Sequence, residues 1–240
     1  MSINEIHFSS VDSTNNYLKE NYESLDNLTF ASTDYQSGGK GRNGRKWFSP
    51  SGENLLFSVL IKDLSYVDDP SLFSVFASVC VAKTLEELGL QNISIKWPND
   101  IYVDGKKICG ILSEGKYSDN KFAYVIIGIG LNVNQTFMGE EILHPFTSIK
   151  LELDESVDIT KVKEILFPKI QEMILSINDD KGEYFAYINE HNYLQNKEVY
   201  ASINGEKSLV KVISIKDGML EVKRGEEILL LNSGEVTFHL

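Results

Sequence analysis

Between Gly38 and Trp47 the chain reads Gly38-Gly39-Lys40-Gly41-Arg42-Asn43-Gly44-Arg45-Lys46-Trp47, a run of residue types that suits an anion. Four of these ten residues are glycine, so backbone N–H groups can approach a ligand with no Cβ in the way. Four more are cationic, and Arg42 and Arg45 are two of only three arginines in the chain. A guanidinium offers a planar fork of donors that matches a carboxylate or a phosphate. No acid occurs from Tyr35 through Gly52, in a chain with 35 acids against 23 bases and a formal net charge of -12. Such a local inversion of the global field is where charged substrates are steered. Taken alone, the composition equally suits a flexible surface loop or an RNA-binding tract.

Other segments carry groups that complement this one. Lys107 opens the apolar run Lys107-Ile108-Cys109-Gly110-Ile111-Leu112, and a lysine on a strand is held better than one on a loop. Lys106 projects to the opposite face, because side chains alternate along a strand. Gly128-Ile129-Gly130-Leu131-Asn132-Val133-Asn134 closes another apolar strand. It lacks the third glycine and the following helix of a dinucleotide fingerprint, so its glycines mark the close approach of a backbone or a ligand. Ser13-Thr14-Asn15-Asn16 precedes the helical pattern of Tyr17, Leu18 and Tyr22. There Asp12 or Ser13 could serve as an N-cap, or the hydroxyls could form a donor-rich rim for a neutral polar ligand group. Both tryptophans, Trp47 and Trp97, lie in or beside these segments. A basic glycine loop beside a rigid lysine complements a carboxylate meeting a triphosphate, and it stabilises the charge that builds up during acyl adenylation.

The elements that must position these groups follow from periodicity. Ile3–Phe8 and Leu28–Thr33 read as strands, and the second leads through Asp34-Tyr35-Gln36 into the basic loop, which leaves into a third strand over Asn54–Ile61. Pro70–Leu88 has its apolar residues on one helical face. Ile93–Lys96 leads into Trp97-Pro98-Asn99-Asp100, and Asp104-Gly105 is a hairpin turn before Lys107. Residues 135–158 give little pattern. Thr160–Ile177 is amphipathic with Pro168 as an expected kink, and a shorter helix runs from Glu183 to about Tyr193. After Asn196 the chain turns to short strands over Val199–Ala201, Leu209–Ile215, Met219–Val222, Ile228–Leu231 and Val236–Leu240, punctuated by Asn204-Gly205 and Asp217-Gly218. Tight strands at that density point to a small SH3-type barrel, with a domain boundary that leaves 1–195 as one unit and 196–240 as another.

The 240 residues are enough for a large core. No apolar run approaches the roughly 20 residues of a membrane helix and the first residues do not form a signal peptide, so the expected location is cytoplasmic. Cys80 and Cys109 have apolar surroundings and read as buried thiols. The histidines have no metal-ligand spacing, so no structural metal is expected. Acidity outside the loop argues against nucleic-acid binding.

Four blocks together resemble the successive signatures of biotin-protein ligases: Gly39–Trp47, Lys96-Trp97-Pro98-Asn99-Asp100, Lys107–Glu114 and Gly128–Asn134. With Ser13-Thr14-Asn15 they cover about residues 8–134, in that family's order. The resemblance implies an α+β fold, a mixed sheet with packed helices of the class II aminoacyl-tRNA synthetase and biotin ligase type, plus the SH3-like C-terminal barrel. It implies that biotin and MgATP form biotinyl-5'-AMP, from which a lysine of a biotin carboxyl carrier domain takes the biotinyl group. Lipoate or octanoate transfer on the same fold and a non-catalytic biotin-sensing dimer are the alternatives.

Carried onto this chain, the resemblance places Ser13, Thr14, Asn15 and Gln36 at the ureido ring and Lys40, Gly41 and Arg42 at the carboxylate and phosphate. Trp47 walls the ligand, or alternatively belongs to the core, and Gly110 is a further biotin-binding position. Lys107 bridges the carboxylate and α-phosphate and, with Arg42, forms the catalytic pair. Arg42, Arg45, Asn132 and Lys107 contact the nucleotide, Asp100 orients Lys107 or the incoming amine, and Asn99 is alternatively turn chemistry after Pro98. Two departures stand out: Lys40 where the family commonly has arginine, and His239 where a basic residue usually ends the Ser233–His239 segment. No DNA-binding domain is expected before Ile3, and a homodimer is compatible with exposed sheet edges.

Overall fold

The strands β2 (Thr29–Thr33) and β3 (Asn54–Ile61) are buried along their whole length, which sequence alternation alone would not require. The computed structural model describes residues 3–64, 67, 69–118, 121–137, 145–203, 205–232 and 236–239. In it, both faces of these strands are covered. They belong to a seven-stranded sheet with β1 (Asn4–Phe8), β4 (Ile93–Lys96), β5 (Asp100–Val103), β6 (Lys106–Ser118) and β7 (Lys121–Asn132), in the order β1-β2-β3-β7-β6-β5-β4. Only β1 and β2 pair in parallel, so the sheet is mixed, as expected.

The two sheet faces differ. On one, Phe30, Phe57, Ile127 and Ile129 join the main core beneath α2 (Leu72–Glu87) and α4 (Ile159–Leu175), with Phe167 of α4 4.7 Å from Phe30 and 4.5 Å from Phe57, centroid to centroid. On the other, α1 (Thr14–Asn21) lays Leu18 against Ala31, Leu60, Tyr124 and Ile126. Beyond the start of α1, Trp47 of the basic loop lies over Gly130 on this second face.

Several elements differ from expectation for physical reasons. α2 is apolar around almost its whole circumference, not on one face, because it lies between the sheet and both α4 and α5 (Lys181–Glu190); Phe76 stacks on Tyr184 at 4.5 Å. α3 (Ile149–Leu153) falls in the stretch without a readable pattern; Ser148 caps it by accepting from the Leu151 N–H. α4 starts at an Asp158 cap and holds Pro168 inside. Asp104 and Gly105 both take positive φ, the mirror-image turn expected between β5 and β6. Cys80 and Cys109 are free and buried, and burial pushes the Cys80 thiol up to about 12.

The remaining strands, β8 (Glu198–Ile203), β9 (Glu206–Lys216), β10 (Met219–Arg224), β11 (Glu227–Leu231) and β12 (Val236–His239), form an antiparallel sheet in the order β11-β10-β9-β8-β12. Among the described residues no pairing joins β11 to β12, so what is observed of the expected SH3-type barrel is this five-stranded antiparallel sheet. Asn204, Ser233, Gly234, Glu235 and Leu240, and the side chain of His239, lie outside the described residues. The Asp217-Gly218 turn docks onto the first unit: Trp97 Nε1 donates to the Gly218 carbonyl at 2.9 Å, and a Cβ on Gly218 would meet Leu72 at 2.7 Å.

Candidate active site

A single irregularity sets which lysine serves the open sheet face. Asp100 pairs with Gly110 and Ile101 with Cys109, but Tyr102 pairs with Lys107, so Ile108 is an extra residue in β6. This bulge brings Lys107 and Gly110, three apart, onto the same face as Asp100. Lys107 Nζ donates to Asp100 Oδ1 at 2.7 Å, whereas Lys106 reaches Glu152 at 3.4 Å. Lys107, and not Lys106, therefore shares the face of Asp100 and Gly110.

The basic loop is a small hairpin and not a loose cradle. Trp47 N–H donates to Gly39 O at 2.9 Å, Gly41 N–H to Arg45 O at 2.7 Å, and Asn43 and Gly44 turn the tip with positive φ. The Gly41 and Trp47 N–H groups are used within the flap. What the flap presents is side chains. Arg42 Nη1 donates to Asn99 Oδ1 at 3.0 Å; Asn99 Nδ2 donates to Asp100 Oδ1 at 3.2 Å and to Ile111 O at 2.9 Å. Arg42, Asn99, Asp100 and Lys107 thus form one chain of polar contacts, and Asn99 is its central link more than a turn residue.

Charge accumulates there. Burial holds the Arg42 guanidinium below its ordinary pKa, with Asp100 opposing and Arg45 reinforcing the shift. Lys96 is lowered by burial, against Asp100, and further by the nearby charges of Lys107 and Arg45. Four cations around one carboxylate, in a chain of net charge -12, form a site that an anion would relieve.

Gly110 and Gly130 face each other across β6 and β7 and form a floor without side chains. Trp47 lies on it: a Cβ would come within 2.5 Å of the indole at Gly130 and 2.9 Å at Gly110. Lys107 Nζ is 5.7 Å from the same ring, and Trp47 Nε1 is buried without a hydrogen-bond partner. Trp47 thus covers the glycine floor. Next along β7, Asn132 Nδ2 donates to Thr147 O at 2.9 Å while its Oδ1 is a buried acceptor without a partner. Thr147 N–H in turn donates to Lys107 O, and Phe146 bridges to Lys107 as a short parallel pairing. Residues 145–147 are thus a side of the site that the sequence pattern missed, because nothing local marks a three-residue bridge.

The polar corner assembles at the start of α1. Ser13 occupies the N-cap position, but its hydroxyl makes no capping bond, and the Asp12 carboxylate accepts from Asn16 instead. Thr14 N–H donates to Gln36 Oε1 at 2.8 Å, and Thr14 Oγ1 lies 2.6 Å from Ser58 Oγ. Asn15 meets Ser58 and Glu114, neither of which the sequence singled out for a role here. Lys40 is held at the edge of this corner by Asn16 Oδ1 at 2.9 Å, and Arg45 stands exposed on the flap. The expected residues thus gather in two neighbouring groups, a hydroxyl and amide corner and a cationic cluster.

A cleft of about 660 Å³ opens beyond the Arg42 to Asn99 contact, walled by Asn43, Ser71, Pro98, Leu112 and Met219 among others. Lys107, Trp47 and Gly110 do not line it, because the indole fills the space above the glycine floor. Among the described residues no three His, Cys, Asp or Glu side chains are grouped to hold a metal, and no helix is long and apolar enough to cross a membrane.

The chain belongs to the biotin/lipoate A/B protein ligase family, whose sequence profile matches residues 7–132. Its fold is similar to that of the biotin protein ligase from Aquifex aeolicus in complex with biotin and ATP, with a TM-score of 0.86, 29% identity and 98% of each chain covered. It is 27% identical to the bifunctional ligase/repressor BirA of Escherichia coli over 232 residues, 92% of this chain and 72% of that one. The BirA of Bacillus subtilis is 35% identical over 162 residues, 66% of this chain and 47% of the relative.

Proposed function

We infer that this chain is an ATP-dependent biotin–protein ligase. It forms biotinyl-5'-AMP from biotin and ATP and transfers the biotinyl group to a lysine of a biotin carboxyl carrier domain. The observation that carries this reading is the linkage of Arg42, Asn99, Asp100 and Lys107 beside the Ser13 to Asn15 corner, a cationic cluster next to a neutral polar one. Biotin has matching ends, an anionic carboxylate and a neutral cyclic urea.

In the first step a carboxylate oxygen bonds to the α-phosphorus and pyrophosphate leaves. Lys107, oriented by Asp100, would lie between the two anions and lower their repulsion, with Arg42 on the nucleotide side. Arg45 and the free Oδ1 of Asn132 are further nucleotide contacts, and Lys40 adds positive charge at the carboxylate. Ser13, Thr14, Asn15 and Gln36 would take the urea, and Trp47 would cover the ring system over Gly110. In the second step the acceptor lysine amine bonds to the acyl carbon, AMP leaves and the amine loses its proton. Mg²⁺ enters with the nucleotide; Asp100 is already engaged by Lys107, so phosphate and water oxygens would supply most of its ligands.

The same reading divides the chain into a catalytic unit, 1–195, and an SH3-like unit, 196–240, acting in the cytoplasm, with a homodimer as a further expectation. Lipoate transfer is the other activity within the family, but the Aquifex aeolicus relative holds biotin and ATP. The deciding experiment incubates the protein with radiolabelled biotin, ATP, Mg²⁺ and a purified carrier domain. Biotinyl-AMP followed by label on the carrier is expected. Lipoyl labelling in its place, or tight biotin binding with no product, would overturn the assignment.

A further inference from the structure

The hydroxyl of Thr14 sits at the end of a directed row of hydrogen bonds that starts at a carboxylate on the neighbouring strand. Glu114 Oε1 accepts from Lys19 Nζ at 2.7 Å and Oε2 accepts from Asn15 Nδ2 at 2.8 Å. Burial pushes this carboxyl up, but the hydrogen bonds from Lys19 and Asn15 more than offset it and hold it below its ordinary value. An ionised carboxylate only accepts, so the Asn15 amide must turn its nitrogen to Glu114 and its oxygen to Ser58. Ser58 Oγ donates its one proton to Asn15 Oδ1 at 2.5 Å. Its contact with Thr14 Oγ1, at 2.6 Å, is then a hydrogen bond only if Thr14 is the donor. Gln36 Oε1 is a competing acceptor at 3.2 Å, but the shorter contact takes the proton, and Gln36 Oε1 already receives the Thr14 N–H at 2.8 Å. Thr14 Oγ1 is left with lone pairs only.

The seat of Asn15 is built for this. A Cβ on Gly128 would come within 2.2 Å of Asn15 Oδ1, so only glycine leaves room for the amide on the strand. Ser13, Thr14 and Asn15 are all buried, at 2%, 3% and 4% exposure, and Ser58 is fully buried. A buried row of this kind has one consistent set of proton positions, and the fixed charge at its end selects it.

We propose that Glu114 is a positioning residue which, through Asn15 and Ser58, makes Thr14 Oγ1 an obligate acceptor for a ligand N–H. The inference rests on the biotin reading, in which Thr14 meets a cyclic urea N–H. It predicts discrimination against rings that offer an oxygen or sulfur where the urea offers N–H, since two acceptors would then face each other.

The test is a swap of polarity. Asn15→Asp sets two carboxylates in contact, so the new side chain is pushed from its seat over Gly128 and away from Ser58, and the KM for biotin should rise on the order of 10- to 100-fold. Glu114→Gln should have a small effect, because a glutamine oxygen can still face Asn15. In the double variant Asn15→Asp with Glu114→Gln, the Gln nitrogen donates to the new carboxylate, which still accepts from Ser58; the KM for biotin should return to within a few-fold of the parent. A thermal midpoint for each variant separates loss of fold from loss of recognition. Ser58→Ala, which cuts the row without adding charge, should raise the KM for biotin on the order of 10-fold. A double variant as poor as Asn15→Asp alone, or an unaltered KM in Ser58→Ala, overturns the proposal. Absence of biotinyl-AMP from the parent protein overturns the biotin reading itself.

Discussion

At the residue scale, two adjacent lysines differ in everything except sequence position. Lys107 contacts Asp100 and lies over the indole face, and Lys106 pairs with Glu152 on the other side. Lys107→Ala should therefore cut single-turnover adenylate formation about 10²- to 10³-fold, the scale on which a preorganised charge contact acts, whereas Lys106→Ala should stay within about two-fold. Equal losses in both variants would disconnect the bulge from the chemistry. Glu114 gives a prediction about stability. Its folded pKa is depressed, so its contribution is present above the unfolded value, about 4.3, and is lost as pH falls through the lower folded value. Urea denaturation of the parent and of Glu114→Gln should show the parent more stable at pH 7 and the two converging as pH drops below the usual carboxylate range. A constant difference across that window would assign the effect to packing.

At the element scale, the glycine pair across β6 and β7 and the hairpin flap are one device. A flat floor allows the Trp47 ring to lie on the sheet, and the flap that carries it is tied at its base, where Gly38 N–H donates to Asp12 O at 2.8 Å. Gly130→Ala would place a methyl group 2.5 Å from the ring. The indole must move, at a cost of about 1–3 kcal/mol for overpacking, and biotin affinity should fall by roughly 5- to 150-fold with far-ultraviolet circular dichroism unchanged. Unaltered affinity measured by calorimetry would show that the ring does not wall the ligand.

For the whole molecule, the C-terminal sheet is docked against the site and not appended at a distance. Trp97 precedes Pro98, Asn99 and Asp100, and its Nε1 is bonded to Gly218 at the β9 to β10 turn. Trp97→Phe keeps the apolar bulk and removes that bond, so the urea midpoint should fall by the equivalent of about 1 kcal/mol with the slope unchanged. An unchanged midpoint would mean that the sheet is held by its apolar contacts alone.

Much of the catalytic frame was legible beforehand because it is written locally: period-two apolar runs, an Asp-Gly turn, a basic tract without acids. Strand alternation put Lys107 and Lys106 on opposite faces, but which of them shares the Gly110 face was set by the bulge. The bulge at Ile108, the bridge of Phe146 to Lys107, the complete burial of α2 and the Glu114 to Thr14 row were not legible, because each depends on which distant segment becomes a neighbour. Local pattern therefore determined that the chain carries a cationic, glycine-rich loop and a strand-borne lysine, and in which segments they lie. Tertiary packing alone decided where the indole rests, which donor faces which acceptor, and that the flap's cations meet the strand's lysine through Asn99 and Asp100. The reason is physical: periodicity is a property of one segment, whereas hydrogen-bond direction and steric clearance belong to pairs of segments far apart in the chain.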